Sequence, residues 1–156
     1  MVLDPTARES NVRDSIKKFL VDGLNRTDRI PVTFDRGLKA PVLQGQSVDR
    51  WVSVLFGEMD RSAMSEAYLQ VYACTRRDNE GFRLAQLGDK ILGYFSDTSQ
   101  TDGMARIPFY RSAENDPWEL LGALLVQDVM EGPSFDIEDE TKVKLFTVRL
   151  RWAAKI

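Results

Sequence analysis

Lys142-Val143-Lys144-Leu145-Phe146-Thr147-Val148-Arg149-Leu150-Arg151-Trp152-Ala153 is the stretch on which the reading of the fold turns. Successive side chains of a strand point to opposite faces, so Phe146, Val148, Leu150 and Trp152 share one side while Thr147, Arg149 and Arg151 share the other. β-Branched and aromatic residues suit a pleated, half-buried surface, and the run reads as a sheet strand. Val143 and Leu145 fall on the arginine side, so the apolar side switches part-way along. Either a bulge sits near Leu145 or the far face is covered too, which a partner subunit could do. The Arg149/Arg151 face itself can meet solvent, acids such as Glu138, or another subunit.

Just upstream, Asp136-Ile137-Glu138-Asp139-Glu140 reads as a solvated hairpin loop. It lacks the ligand ladder and central glycine of an EF-hand. Before it, Glu119 to Met130 is ambiguous. Asp116-Pro117 could cap a helix that suits Leu120, Leu121, Leu124 and Leu125, but Gly122 interrupts it and Val129-Met130 has strand character. We read a strand over roughly Gly122 to Met130, ended by Gly132-Pro133. Ile107 to Tyr110 is a short extended piece, and Ser96 to Arg106 a polar loop.

Two helices stand out. Leu84, Leu87, Gly88, Ile91, Leu92 and Phe95 share one face from about Phe82 to Phe95, after an Asp78-Asn79-Glu80-Gly81 turn. Gly88 in that stripe predicts close approach to a strand. The other helix runs from about Thr6 to Asp22, with Val12, Ile16, Phe19 and Leu20 on one stripe. Asp4 before Pro5 offers an N-cap, Thr6-x-x-Glu9 a competing capping box, and Gly23 a stop. Its polar face mixes both charge signs, which suits packing on a sheet better than lying on a membrane.

Between the helices, Ile30 to Phe34 is a short strand pushed to a sheet edge by Pro31. Asp35 to Gln46 is a long loop or arm, and loops of that length in compact domains tend to be functional or mobile. Trp51–Phe56 and Ala67–Thr75 form a hairpin whose tip spans Gly57 to Met64. Helices do not alternate strictly with strands. The expected fold is therefore one α+β domain over residues 1–156, a mostly antiparallel sheet with two main helices and mobile loops near 35–50 and 96–106.

Composition narrows the chemistry. The chain has no histidine, which removes Ser-His-Asp and Cys-His catalysis and imidazole-based zinc sites. Cys74 is the single cysteine, so no intrachain disulfide can form. It reads as a small buried hydrophobe in a strand, not a reactive thiol. The net charge of −3 argues against a wholly basic nucleic-acid surface. Apolar runs such as Leu120–Val126 fall short of a membrane span. The start lacks the basic-then-apolar pattern of a secretory signal. Arg76-Arg77 reads as a solvated turn with local ion pairs. No P-loop, dinucleotide fingerprint, nucleophile elbow or paired zinc cysteines occur, so the expectation is a protein without catalysis, cofactor or metal.

The order of elements carries a resemblance. An amphipathic N-terminal helix leads to Ile30-Pro31-Val32 and an irregular stretch. Then come the Trp51–Phe56 strand, the hairpin and Ala67–Thr75, running into the helix with Leu84, Leu87 and Ile91. Val126-Gln127-Asp128-Val129-Met130-Glu131-Gly132-Pro133 precedes the long strand Leu145 to Trp152. Over nearly its whole length the chain resembles the tail terminator (tail completion) proteins of lambda-like long-tailed bacteriophages. The resemblance implies an α+β virion subunit that forms a hexameric ring on the last tail-tube ring. That ring stops polymerisation and presents a surface to the head–tail connector protein. The implied partners are further copies of itself, the tail-tube protein and the connector, with no membrane. The implied location is the virion tail, with the host cytoplasm during assembly.

Loop length and position, not a family motif, place the expected assembly contacts. They are Arg36 and Lys39 in the arm, Glu58, Met59, Arg61 and Met64 at the hairpin tip, Asp102 and Arg106 in the polar loop, and Arg149 and Arg151. All of these can equally be plain surface positions. Two other classes stay open. Trp51, Tyr68, Tyr72 and Trp152 could stack bases on a sheet, and the Asp136–Glu140 carboxylates could hold a divalent ion.

Overall fold

The computed structural model describes residues 2–112 and 118–155. Its main sheet has six strands in the order β1-β4-β5-β8-β7-β6. These are β1 (Val32–Phe34), β4 (Arg50–Asp60), β5 (Met64–Arg76), β6 (Arg106–Arg111), β7 (Glu119–Ile137) and β8 (Thr141–Ala153). A separate small hairpin joins β2 (Val42–Leu43) to β3 (Gln46–Ser47). Only β1 with β4 is parallel within the main sheet; the other neighbours are antiparallel. Helices α1 (Glu9–Leu20) and α2 (Phe82–Tyr94) complete an α+β fold. Among the described residues, no helix is long and apolar enough to cross a membrane.

The decisive C-terminal run is a strand, as its alternation requires. Phe146, Val148, Leu150 and Trp152 are buried in the main core. The register between β5 and β8 runs unbroken from Met64↔Ala153 to Arg76↔Thr141, so no bulge relative to β5 falls near Leu145. Both alternatives hold in part: β7 bulges opposite Leu145, and over Val143 the chain supplies the cover itself. Val143, Trp51 and Cys74 form a second small apolar cluster, against which Leu38, Ala40 and Val48 of the long arm pack.

The strand before it is longer than expected. It runs from Glu119 to Ile137, and Gly132-Pro133 lies inside it rather than ending it. Glu131 pairs with Phe146 and Ser134 with Lys144, so Gly132-Pro133 together oppose Leu145 in a bulge. β6 reaches only Leu125, which leaves this part of β7 as a sheet edge where a proline is tolerated. A second bulge, between Val126 and Asp128, takes up Gln127. Gly122 has φ +157° at the irregularity where β6 and β7 shift register, a backbone setting that L side chains rarely adopt. The Asp116-Pro117 cap lies outside the described residues.

Helix α1 stops the sheet from having a free β6 edge. The Ser15 hydroxyl accepts from the Tyr110 N–H at 2.8 Å, and the Asn11 side-chain oxygen accepts from the Ser112 N–H at 3.0 Å. From its other side Arg13 pairs with Asp35 at 2.5 Å and lies 4.4 Å from the Phe56 ring centroid. One helix thus touches both ends of the sheet, and the sheet curls around it. Val12, Ile16 and Leu20 fill the inside. The buried pair Asn11 and Ser15 falls on the same inward side, polar because an edge strand needs partners for its N–H groups.

The N-terminal helix departs from the expected span at both ends. Asp4 caps a short 3-10 turn, Pro5–Ala7, and accepts from the Thr6 N–H at 2.9 Å. Arg8 is extended, and α1 begins only at Glu9. No capping box forms; Glu9 pairs instead with Arg13 at 3.2 Å. Nor does Gly23 end the helix. The chain continues as a wider π-helical segment from Val21 to Thr27, with the Asp28 N–H donating to the Gly23 carbonyl across five residues at 3.1 Å. That widening carries Leu24 into the core.

The role of Gly23 is close approach. A Cβ there would collide with the Tyr94 ring, whose hydroxyl is held by Asp28. Gly23→Ala therefore sets a propensity gain of about 1 kcal/mol against an overpacking cost of about 1–3 kcal/mol. The collision is expected to win. A denaturant melt should show a lower midpoint with an unchanged slope. Gly88 behaves as its place in the stripe predicts, lying 3.0 Å (from an added Cβ) from Phe146 of β8.

The Tyr94–Asp28 pair also fixes a pH response. Burial, followed by the neighbouring Asp28 carboxylate, pushes the Tyr94 phenol up to about 12. A raised folded-state value means that the stabilisation is complete below the ordinary value of about 10 and is lost as pH rises through about 12. The stability gap between the native chain and Tyr94→Phe is expected to shrink between those two pH values. Paired chemical melts at the two ends of that window read it directly.

Candidate assembly surface

Both helices lie on the concave side of the sheet, so the convex side carries the remaining side chains. Strand registers arrange these in rows. Trp51, Cys74 and Val143, under the arm, form the first together with the exposed Phe135. The next rows hold Ser53, Tyr72 and Leu145, and then Leu55, Gln70, Thr147 and Met130. Tyr68, Arg149 and Asp128 follow. The last row is Asp60, Glu66, Arg151, Leu125 and Arg106. One half of the convex face is therefore mostly apolar and the other mostly charged. Met130 stands 68% exposed in the apolar half.

This register brings together residues that the sequence could only name separately. Arg106 and Arg151 share a row although they lie on different strands and far apart in the chain. Arg149 binds Asp128 at 2.8 Å, and that carboxylate beside it raises its already high pKa. Its acidic partner is thus Asp128 and not Glu138, which sits in the turn at the far end of β8. The Nε atoms of Arg149 and Arg151 are both shielded without a hydrogen-bond acceptor.

The hairpin expected to have its tip over Gly57 to Met64 is tighter. β4 runs to Asp60 and β5 resumes at Met64, with a bulge between Phe56 and Met59. Met59 packs on the main core, while Glu58, Arg61 and Met64 are exposed. Arg61 approaches Glu9 at 3.9 Å. In the polar loop, Asp102 accepts from the Met104 N–H at 3.0 Å and Arg106 donates to Gln100 at 3.1 Å. Arg36 and Lys39 are exposed on the arm, whose hairpin leaves Val42 60% and Leu43 54% exposed.

The other candidate chemistries come apart on inspection of the side chains. Trp51 and Trp152 are both buried and on opposite faces, so only Tyr68 and Tyr72 remain for a base to stack on. The acidic turn does not converge. Asp136 binds Lys142 at 2.9 Å, Asp139 binds Arg76 at 3.2 Å and Glu140 approaches Arg77 at 3.7 Å. Arg76 is 8% exposed, so this arginine is a buried anchor and not part of a solvated turn. Cys74 is fully buried, and burial pushes its thiol up to about 12, far from a nucleophile's range.

One structural residue escaped the sequence reading. Asp78, expected only as part of a turn, accepts from the Leu84 N–H at 2.8 Å, the Arg83 N–H at 3.4 Å and the Thr75 hydroxyl at 3.2 Å. It caps α2 from beyond the ordinary position, because Gly81, at φ +73°, bends the chain back to it. Burial alone would raise its carboxyl, but these donors hold it below the usual value.

No protein-family model and no curated protein matches the chain. Among solved structures that share the fold, one superposes over 96% of this chain and 96% of its own, with a TM-score of 0.56 and 12% sequence identity. That likeness establishes the α+β architecture and carries no statement about function.

Proposed function

We propose that this chain is a bacteriophage virion subunit of the tail-terminator kind, which closes into a ring on the end of the tail tube. The ring would stop tube polymerisation and offer its outer side to the head–tail connector. The observation that carries the reading is the convex sheet face, bare beyond the arm and divided into an apolar and a charged half. A ring needs two unlike patches that fit each other head to tail. The apolar half and the projecting Val42-Leu43 hairpin are two such unlike patches on one chain. The element order that underlies the resemblance to tail terminators also supports it.

Light scattering of the purified chain, alone and mixed with isolated tail tubes, tests the reading. A ring-sized species or capped tube ends are expected. Met130→Glu should abolish that species while shifting stability by no more than about 0.5 kcal/mol, since an exposed substitution leaves the core untouched. A chain that stays monomeric at high concentration and ignores tube ends would overturn the proposal.

A further inference from the structure

We infer that residues 35–49 form a strap that lifts from the sheet as a unit while the main core stays folded. Its two ends are firmly tied. At the start, the Asp35 N–H donates to Val54 O at 2.8 Å and its carboxylate takes the Phe56 N–H at 3.2 Å and Arg13. At the end, Asp49 O accepts from the Arg76 N–H at 2.7 Å. Between these ends, among the described residues, the hydrogen bond from the strap to the sheet is that from Ser53 Oγ to Gly37 O, at 2.6 Å. The rest of the attachment is Leu38, Ala40 and Val48, each only half-buried. Gly37, at φ +74°, stands where the strap turns away.

What lies beneath makes opening cheap. Trp51, Cys74 and Val143 form a cluster separate from the main core, on the opposite face of the sheet. Losing that cluster does not breach the packing around Phe146 and Ile16. The Trp51 indole N–H is buried with no acceptor, a standing cost that water would relieve once the strap is up. A cleft of about 500 Å³ lies between Leu38, Lys39 and Ala40 of the strap and Ile137 to Asp139 of the β7–β8 turn. Segments with few buried contacts open locally at far lower free energy than the whole fold. The opened state would uncover Trp51 beside Tyr72 and Leu145, extending the apolar half of the convex face. This inference does not depend on the ring reading.

Cys74 is the reporter, since its thiol lies under the strap and no other cysteine competes. The full chain is treated with excess 5,5′-dithiobis(2-nitrobenzoate) in native buffer and in low urea, and the labelling rate is compared with the global unfolding equilibrium. We expect labelling at least a hundredfold faster than global unfolding allows, with little dependence on urea. Leu38→Ser should speed it tenfold or more. Ile16→Ala, which weakens only the main core, should leave it unchanged in native buffer. Labelling that follows global unfolding, accelerates in parallel with Ile16→Ala, or ignores Leu38→Ser would overturn the inference.

Discussion

Replacing Trp152 with alanine is expected to destabilise the chain by about 3–5 kcal/mol, the usual range for removing a buried large aromatic. The side chain is 1% exposed and meets Phe109 edge-on, with ring centroids 6.4 Å apart. Its indole N–H donates to the Thr6 carbonyl at 2.9 Å, and the Lys155 N–H donates to the Thr6 hydroxyl at 2.9 Å. Trp152 therefore does two jobs, filling the core and tying the N-terminal turn to the last strand. The conservative variant separates them. Trp152→Phe keeps most of the volume and should lose about 1–2 kcal/mol, chiefly the hydrogen bond. Domains of this kind have total stabilities of about 5–15 kcal/mol, so the alanine variant should sit near the edge of folding. Urea melts of both variants, with unchanged slopes, provide the check. A loss under about 1 kcal/mol for Trp152→Ala would contradict the packing described here.

Asp78→Ala should have the next largest effect, about 2–4 kcal/mol. The substitution strips the acceptor from two N–H groups in the first turn of α2 and from the Thr75 hydroxyl, itself fully buried. Loss of a helix cap costs about 1–2 kcal/mol, and an orphaned buried donor adds a comparable amount. At about 2–4 °C per kcal/mol for a chain of this size, the melting temperature should fall by about 4–16 °C. Asp78→Asn retains one acceptor oxygen and should fall between the two. The pH dependence follows from the lowered carboxyl. Its contribution is present above the ordinary carboxylate value and is lost as pH falls through the lower folded value. The gap between native chain and Asp78→Asn should narrow in that acid window. Thermal melts across it measure the effect.

These two residues show what could be read from the chain alone. Trp152 was legible, because strict alternation from Phe146 onward puts it on the apolar side of a strand whatever surrounds it. Asp78 was not. Its role depends on Gly81 turning the backbone so that a residue well before the helix faces the helix start, and no local spacing rule covers that geometry. Arg149 and Arg151 were recognised as a face, but their neighbours Asp128, Glu66 and Leu125 come from other strands.

The errors have a common origin. Gly23 and Gly132-Pro133 read locally as stops because both favour turns. In the fold, the first is the gap filled by Tyr94, and the second is a bulge on a strand whose partner β8 continues past it. Long-range packing outweighed local preference in both places, since a collision or a ladder of backbone hydrogen bonds exceeds the propensity difference of about 1 kcal/mol.

Periodicity by itself determined the two helices with their buried stripes and the inward side of β8. Each of these depends only on how side chains repeat along one segment. Tertiary structure alone decided the strand order, the curl of the sheet around α1, the strap over Trp51 and the division of the convex face. Those features arise where segments distant in the chain meet, and the register between them is set by mutual fit that neither segment encodes alone.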